Sequence, residues 1–377
     1  MDKVFELLAR LSDGQPRTGT ALAAAEGVTR AAIWERVKRL QALGVELTAH
    51  PGKGYQLAHP FEFLEDAAIR ALLAPNAAGV LREITVSPVT DSTNQRLLDA
   101  CQQGDIHGHA WLAEFQTAGR GRRGDRWLAP PGAAVCLSLG WGFDSPPRDL
   151  GALSLVVGIG VVRGLQALGA HGVGLKWPND LLFDRRKLAG ILIEMRSEVG
   201  GPCTVVIGVG VNVALGEAVK ADIDQPAASL TEACKRAPSR NAIAAAVLSS
   251  LVETLGIFAA RGFEAFVPVW RVLDALAGRR VQLTLPGRTV DGTARGVDAN
   301  GLLLIEHDGT QEAFLAGHAR VALSCCRRSP GATKTRARSS PRSFATSRRS
   351  RCWFRTWRGR RWETRSPAGC KAIGSRP

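Results

Sequence analysis

Apolar positions recur at helical spacing over residues 2–11, where Val4, Phe5, Leu7, Leu8 and Leu11 share one face. Thr18 or Thr20 is placed to cap a second short helix running through Ala25, and Gly27 then turns the chain. Thr29 caps a third helix over residues 30–43, with Ile33, Val37, Leu40 and Leu43 inward. Helix, glycine turn, helix predicts a helix-turn-helix, and PGKGYQL (residues 51–57) predicts a hairpin wing. Residues 59–82 read as a linker followed by a helix. Beyond them the period alternates between strand and helix. Strands are predicted at 84–89, 111–115, 135–140, 174–177, 190–196 and 203–213, and helices at 94–102, 150–168 and 240–261. From Gly278 on, short alternating runs at 281–285, 288–297, 302–306 and 312–316 are punctuated by Pro286-Gly287, Asn300-Gly301 and Asp308-Gly309. That pattern predicts a small β-barrel, closed by a last strand at 321–323. The fold class is α+β: an N-terminal winged helix-turn-helix, a central α/β domain on a mixed sheet, and a small C-terminal barrel. The boundaries fall at 1–60, 61–82 (linker and helix), 83–272, 273–323 and 324–377.

Composition changes this picture in one place. The chain of 377 residues carries a formal charge of +15, which ordinarily points to nucleic acid. Of its 49 Lys and Arg, however, 16 lie in residues 327–377 beside a single acidic residue, Glu363; the remainder balances at 33 basic against 33 acidic. The excess belongs to the tail. That tail is Arg/Ser-rich without hydrophobic period, which reads as a disordered segment or as an arm for nucleic acid. Cys101, Cys136, Cys203 and Cys234 are scattered without metal-ligand spacing, so a reduced, cytoplasmic setting is expected. The N-terminus has no signal-peptide architecture, and the most apolar run, residues 150–168, is interrupted by Arg163. No membrane association is expected.

Candidate chemistry gathers in five stretches. EFQTAGRGRRGDRW (114–127) sets three glycines and four arginines between apolar segments, a composition suited to closing over a small anion. The same composition also serves a plain basic surface loop. DSTN (91–94) precedes it; KWPNDLL (176–182), KLAGILIE (187–194) and GVGVNV (208–213) follow. Asp91-Ser92 suits a helix cap, Asn179-Asp180 a turn, and a lone Lys187 a snorkelling surface cation. GVGVN lacks the Walker pattern. On the helix-turn-helix, Thr29, Arg30, Trp34, Arg36 and Lys38 are the exposed candidates for DNA, with Lys53 on the wing for phosphate. The same geometry also serves protein packing.

These five stretches, in this order and with the N-terminal segment, resemble the biotin–protein ligases of the bifunctional type that also act as biotin operon repressors. The resemblance covers roughly residues 1–323, and because the family pattern stops there it favours a shifted reading frame after about Ser324 for the basic tail. It implies ATP-dependent formation of biotinoyl-AMP, then transfer of biotin to one lysine of a biotin carboxyl carrier protein. It implies biotin contacts from Ser92, Thr93, Asn94, Gln116, Arg120, Gly121, Arg122 and Lys187. ATP contacts fall to Arg122, Trp127, Lys176, Asn179 and Asn212, with Gly208 and Gly210 giving the nucleotide close approach. Catalysis falls to Lys187, Arg122 and Asp180, the last either as a Mg²⁺ ligand or as a base for the incoming lysine. Some bifunctional relatives place an aromatic residue near Ala227, where this chain reads QPAASL. Operator DNA and a ligand-dependent homodimer are the further partners implied, and the last domain is expected to be SH3-like. Two other readings stay open: a lipoate- or octanoate-type ligase, and a DNA-binding sensor without ligase activity. The polar DSTN and Gln116 set favours a ureido ring over a linear acid.

Overall fold

The computed structural model describes residues 2–147, 149–197, 203–223, 225–236 and 238–321. The basic tail from 324 onward, and Ala322 and Leu323 of the expected last strand, lie outside them. The N-terminal unit comprises α1 (Asp2–Leu11), α2 (Gly19–Glu26), α3 (Arg30–Ala42), β1 (Leu47–His50) and β2 (Gly54–Leu57). Of the two candidate caps, Thr18 is the one used: its hydroxyl accepts from Ala21 N at 3.1 Å. Gly27 ends α2 in the left-handed region, and Thr29 caps α3 by accepting from Ala32 N at 3.2 Å. Leu7, Leu8 and Leu11 pack against Leu22, Ile33, Val37 and Leu40. The hairpin pairs Leu47 with Leu57 and His50 with Gly54, and Arg17 bridges to Tyr55.

Arg36 does not fit the DNA-facing set. It pairs with the buried carboxylate of Glu26, which also meets Arg10 Nε at 3.4 Å. An ion pair with so little exposure fastens α3 to α2, so the guanidinium is committed to the fold.

The segment at 59–82 holds two short helices, α4 (Asp66–Ala71) and α5 (Pro75–Val80), where one was expected. Pro75 stands in the first turn of α5, where a missing N–H costs nothing, and cannot continue α4. The central sheet contains β3 (Glu83–Thr90), β4 (His109–Gln116), β5 (Ala134–Phe143), β6 (Val173–Lys176), β7 (Asp180–Phe183), β8 (Arg186–Ser197) and β9 (Cys203–Asn212). Its order is β3-β4-β5-β9-β8-β7-β6. β3 and β4 run parallel, joined through α6 (Thr93–Ala100); the other neighbours are antiparallel. One face is covered by α7 (Leu153–Ala167) and α10 (Arg240–Arg261), which pack on each other. The stretches Leu150–Ala167 and Arg240–Arg261 have the length and apolarity of membrane spans, yet 67% and 56% of them is buried inside the fold, as in core helices. Short helices α8 (Glu217–Asp222), α9 (Leu230–Ala233) and α11 (Val267–Leu273) complete the domain.

The C-terminal unit is β10 (Arg280–Leu285), β11 (Arg288–Val297), β12 (Leu303–His307), β13 (Thr310–Phe314) and β14 (His318–Val321), in order β13-β12-β11-β10-β14. It is the expected small antiparallel domain with an inner face of Val281, Leu283, Ala294, Leu303, Ile305 and Ala319. Among the described residues no ladder joins β13 to β14, so the sheet is open where a closed barrel was expected. Trp177 Nε1 donates to Gly301 O at 3.1 Å, tying the central sheet to this domain.

Candidate active site

Every residue assigned above to biotin, nucleotide or catalysis lines one cavity of about 1300 Å³ on the uncovered face of the sheet. Its floor is cross-strand in origin. Ser138 stands opposite Gly208, and Gly208 opposite Leu192; Cys136, Gly210 and Gly190 form the next row. Successive side chains on a strand alternate between faces, so these rows point the same way. A Cβ on Gly208 would overlap Asn94 Oδ1, and one on Gly210 would lie 2.5 Å from the Trp127 ring. The two glycines therefore seat Asn94 and Trp127 rather than the nucleotide itself. Burial pushes the Cys136 thiol up to about 11, which leaves it protonated and no nucleophile.

At one end lies a neutral polar set. Ser92 is buried at the N-terminus of α6, yet among the described residues its hydroxyl makes no capping bond. Gln116 Oε1 instead accepts from Thr93 N at 2.8 Å. The Gln116 NH₂, with one N–H toward the Cys136 thiol, has a second N–H for a ligand. Asn94 lines this end as expected, but its side chain is already engaged by the protein. Its Nδ2 donates to Leu192 O at 3.2 Å and Glu194 Oε2 at 2.8 Å, and its Oδ1 accepts from Ser138 Oγ at 2.6 Å. At 3% exposure its hydrogen-bonding capacity is spent on the protein.

The other end is cationic. Lys187 Nζ lies 2.8 Å from Asp180 Oδ1 and 5.8 Å from the centroid of the Trp127 ring. Lys176 Nζ lies 3.5 Å from Asp180 Oδ2. The turn Trp177-Pro178-Asn179 enters through a cis peptide and delivers Asp180 as the first residue of β7. Arg122 Nη1 donates to Asn179 Oδ1 at 3.3 Å, while Asn179 Nδ2 donates to Ile191 O at 2.8 Å. Burial lowers the pKa of Arg122, with Arg123 adding to it, and burial lowers Lys176 against the opposing pull of Asp180. Crowded, partly desolvated cations of this kind await an anion. His318 and Arg320 of β14 line the same end, and burial together with Lys176 and Arg320 lowers the His318 pKa. No local sequence signal marks these two, because they arrive from another domain.

Asn212 Nδ2 donates to Lys187 O at 3.2 Å and Ala228 O at 3.1 Å, leaving only its oxygen for a base. Those bonds, with Lys187 N donating to Pro226 O at 2.8 Å and Ala228 N to Lys187 O at 2.9 Å, strap the 225–228 segment beside Lys187. Both Asp180 oxygens face lysines, and no cluster of three His, Cys, Asp or Glu suited to a metal occurs among the described residues. A Mg²⁺ here would draw on Asp180 together with nucleotide phosphates rather than on a cage of protein ligands.

The DNA candidates are remote from this cavity. Thr29, Arg30, Trp34 and Lys38 lie on or at the start of α3, and Lys53 at the tip of the hairpin, all exposed. Trp34 is 49% exposed, with Lys38 Nζ 5.6 Å from the centroid of its ring. Sequence reasoning missed Ser138 and Glu194, although alternation from Gly190 through Leu192 places Glu194 on the cavity face.

Family models match the three parts: an HTH domain at residues 3–56, the biotin/lipoate A/B protein ligase family at 86–212, and the biotin protein ligase C-terminal domain at 277–319. The Escherichia coli (strain K12) bifunctional ligase/repressor BirA is 38% identical over 83% of this chain and 95% of its own length. The Mycobacterium tuberculosis biotin–[acetyl-CoA-carboxylase] ligase is 38% identical over 67% of this chain and 94% of its own. Among solved structures, the Aquifex aeolicus biotin protein ligase in complex with biotin and ATP superposes with a TM-score of 0.55 at 26% identity, over 64% of this chain and 100% of that one. The chain therefore belongs to the bifunctional ligase/repressor family of biotin–protein ligases.

Proposed function

We propose that this chain runs its family's reaction with the two ends of the cavity as separate binding sites. The neutral set, Ser92, Thr93 and Gln116, takes the ureido ring of biotin. The cationic end takes ATP, with Mg²⁺ arriving as part of the nucleotide. The biotin carboxylate attacks the α-phosphate, forming biotinoyl-AMP and releasing pyrophosphate. A carrier lysine then attacks the acyl carbon and AMP leaves. Lys187 and Arg122 offset the charge that builds on carboxylate and phosphate oxygens, in a site closed against water by the 117–127 loop. Asp180 holds Lys187 in place and is the acceptor for the proton of the incoming amine. Lys176, Arg320 and His318 face the departing phosphates. Trp127 and Asn179 flank the adenylate, and Asn212 offers its oxygen to adenine.

The observation that carries this reading is Lys187: its ammonium lines the cavity 2.8 Å from Asp180 Oδ1 and 5.8 Å from the centroid of the Trp127 ring that ends the arginine loop. Lys187→Ala should lower adenylate formation and carrier labelling by about a hundredfold or more, the scale of losing one preorganised cation at a developing charge. A normal rate would overturn the assignment. Native mass spectrometry with biotin, ATP and Mg²⁺ should show the mass of biotinoyl-AMP; an adenylate forming with lipoate and not biotin would reassign the acid.

The regulatory half rests on the helix-turn-helix. Thr29, Arg30, Trp34, Lys38 and Lys53 face operator DNA, in a dimer formed when the adenylate orders the loop. The surface for that dimer is the edge of β8 from Leu192 on, which has ladder partners only on β9 among the described residues, beside exposed Met195. The biotin carboxyl carrier protein competes for the same edge. The site of action is the cytoplasm, where carrier and operator both reside. Operator binding indifferent to biotin and ATP would count against this half.

A further inference from the structure

One carboxylate beside the mouth of the cavity, under the arginine loop, has no part in the chemistry above. Glu194 lies on β8, and its Oε2 accepts from two directions: from Asn94 Nδ2 at 2.8 Å and from Arg120 Nη2, on the arginine loop, at 2.9 Å. Asn94 is itself fixed, because Ser138 Oγ donates to its Oδ1 at 2.6 Å. Ser138 Oγ lies 2.8 Å from Thr93 Oγ1, and the Thr93 hydroxyl is free to donate to it because the Thr93 N–H already bonds Gln116 Oε1 at 2.8 Å. A continuous belt thus runs Gln116–Thr93–Ser138–Asn94–Glu194–Arg120. One end is the set that reads the ureido ring, and the other end holds the loop. Asn94 and Ser138 are buried, while Arg120 and Glu194 keep 38% and 27% side-chain exposure at the mouth. Beside the neutral-acceptor bond from Arg122 to Asn179, the Arg120–Glu194 bond is therefore the charge-assisted tie on the loop, and it is partly open to water.

We propose that Glu194 is a positioning residue for the ligase reaction: it latches Arg120, holds the arginine loop closed over biotin and its adenylate, and ties that closure to the groups that read the ring. The proposal rests on the biotin reading of the site. It makes Asn94 a relay within the belt rather than a contact to biotin. It also assigns the loop's retention of the adenylate to a residue outside the loop.

The test is kinetics of the full chain with Glu194→Gln, Arg120→Ala, Arg120→Lys and the Glu194→Gln/Arg120→Ala pair. Glu194→Gln keeps the side chain's shape and removes its charge. It should raise the KM for biotin about tenfold, the size of one charge-assisted hydrogen bond, with kcat within about threefold. Escape of adenylate should rise in step, read as pyrophosphate released without carrier labelling. Arg120→Ala should do at least as much, the double variant no more than Arg120→Ala alone, and Arg120→Lys should recover part of the loss. Effects that multiply in the double variant would overturn the latch, because Glu194 would then act independently of Arg120. So would an unchanged KM for biotin, or equal losses for every substrate with a lowered melting temperature. The wild type in the same assay separates the two levels: a wild type that fails to label carrier with biotin strikes the reading of the site, whereas a working wild type with an indifferent Glu194→Gln strikes only the latch.

Discussion

The cavity floor is shaped by side chains that are missing. Gly208 and Gly210 read from sequence as room made for a nucleotide, and the room exists, but Asn94 and Trp127 fill it. Sequence gives the small residue and not its occupant, since both occupants arrive from distant segments across the sheet. The same limit applies to polar residues. DSTN was legible as ligand-facing chemistry, yet which of its members keeps a free donor depends on bonds made by Ser138, Gln116 and Glu194. Gly210→Ala tests the packing directly. Its methyl group would stand 2.5 Å from the indole, so Trp127 must move away from Lys187, or β9 must shift. We expect a loss of ~1–3 kcal/mol in urea denaturation, as for other overpacked sites. Nucleotide affinity should weaken alongside it. An unchanged midpoint would mean that the indole yields freely and is not held by the floor.

Among the elements, length decided what could be read. α1, α3, α7, α10 and the long strands declare themselves over several turns or alternations, and they were placed to within a few residues. The four-residue β7 carries too few alternations to be seen beside the turn residues Asn179 and Asp180, and α8, α9 and α11 are equally short. Yet the short elements set the catalytic strand. α9 carries Glu232, whose carboxylate meets Arg186 Nη1 at 2.6 Å and Lys220 Nζ at 3.3 Å, next to Lys187 in sequence. Burial pushes the Glu232 carboxyl up, but Arg186, Ser229 and Lys220 outweigh it and bring it from its ordinary 4.5 down to about 2. The unfolded chain therefore binds a proton first on acidification. Stability from this group is fully present above 4.5 and is lost as the pH falls from there through about 2. Glu232→Gln should lower the urea midpoint at neutral pH, and the gap to the wild type should narrow as the pH falls below about 4.5 and close only towards about 2. A gap constant across that range would show that the ion pairs contribute nothing to the fold.

For the whole molecule, the question is how a DNA-binding unit is informed of events in the cavity. The linker after the wing is clamped rather than free. Arg240, at the start of α10, donates from Nη1 to Glu62 O at 2.8 Å and Glu114 Oε2 at 2.6 Å, and from Nη2 to Ala134 O at 2.9 Å. Glu114 stands two residues before Gln116 on β4, and Ala134 opens β5, so one guanidinium grips both roots of the ligand loop and the linker at once. Asn241 reinforces it through Glu62 Oε1 at 2.7 Å and Phe63 O at 2.8 Å. None of this was legible, because a buried ion pair far apart in sequence leaves no period. Glu114 and Arg240 are each 5% exposed, so Arg240→Met leaves a carboxylate buried without its partner and should cost ~3–5 kcal/mol in equilibrium denaturation. Glu114→Gln, added to Arg240→Met, removes that stranded charge while keeping an acceptor for Leu64 N, and should restore more than half of the loss. The restored double variant is the informative one. With the fold recovered but the guanidinium grip gone, ligase activity should stay within a few-fold, while operator affinity should lose most of its response to biotin and ATP. If that response survives intact, the coupling does not pass through the linker, and the close approach of Gly44 to Pro130, where an added Cβ would stand 2.9 Å from the proline ring, becomes the route to examine.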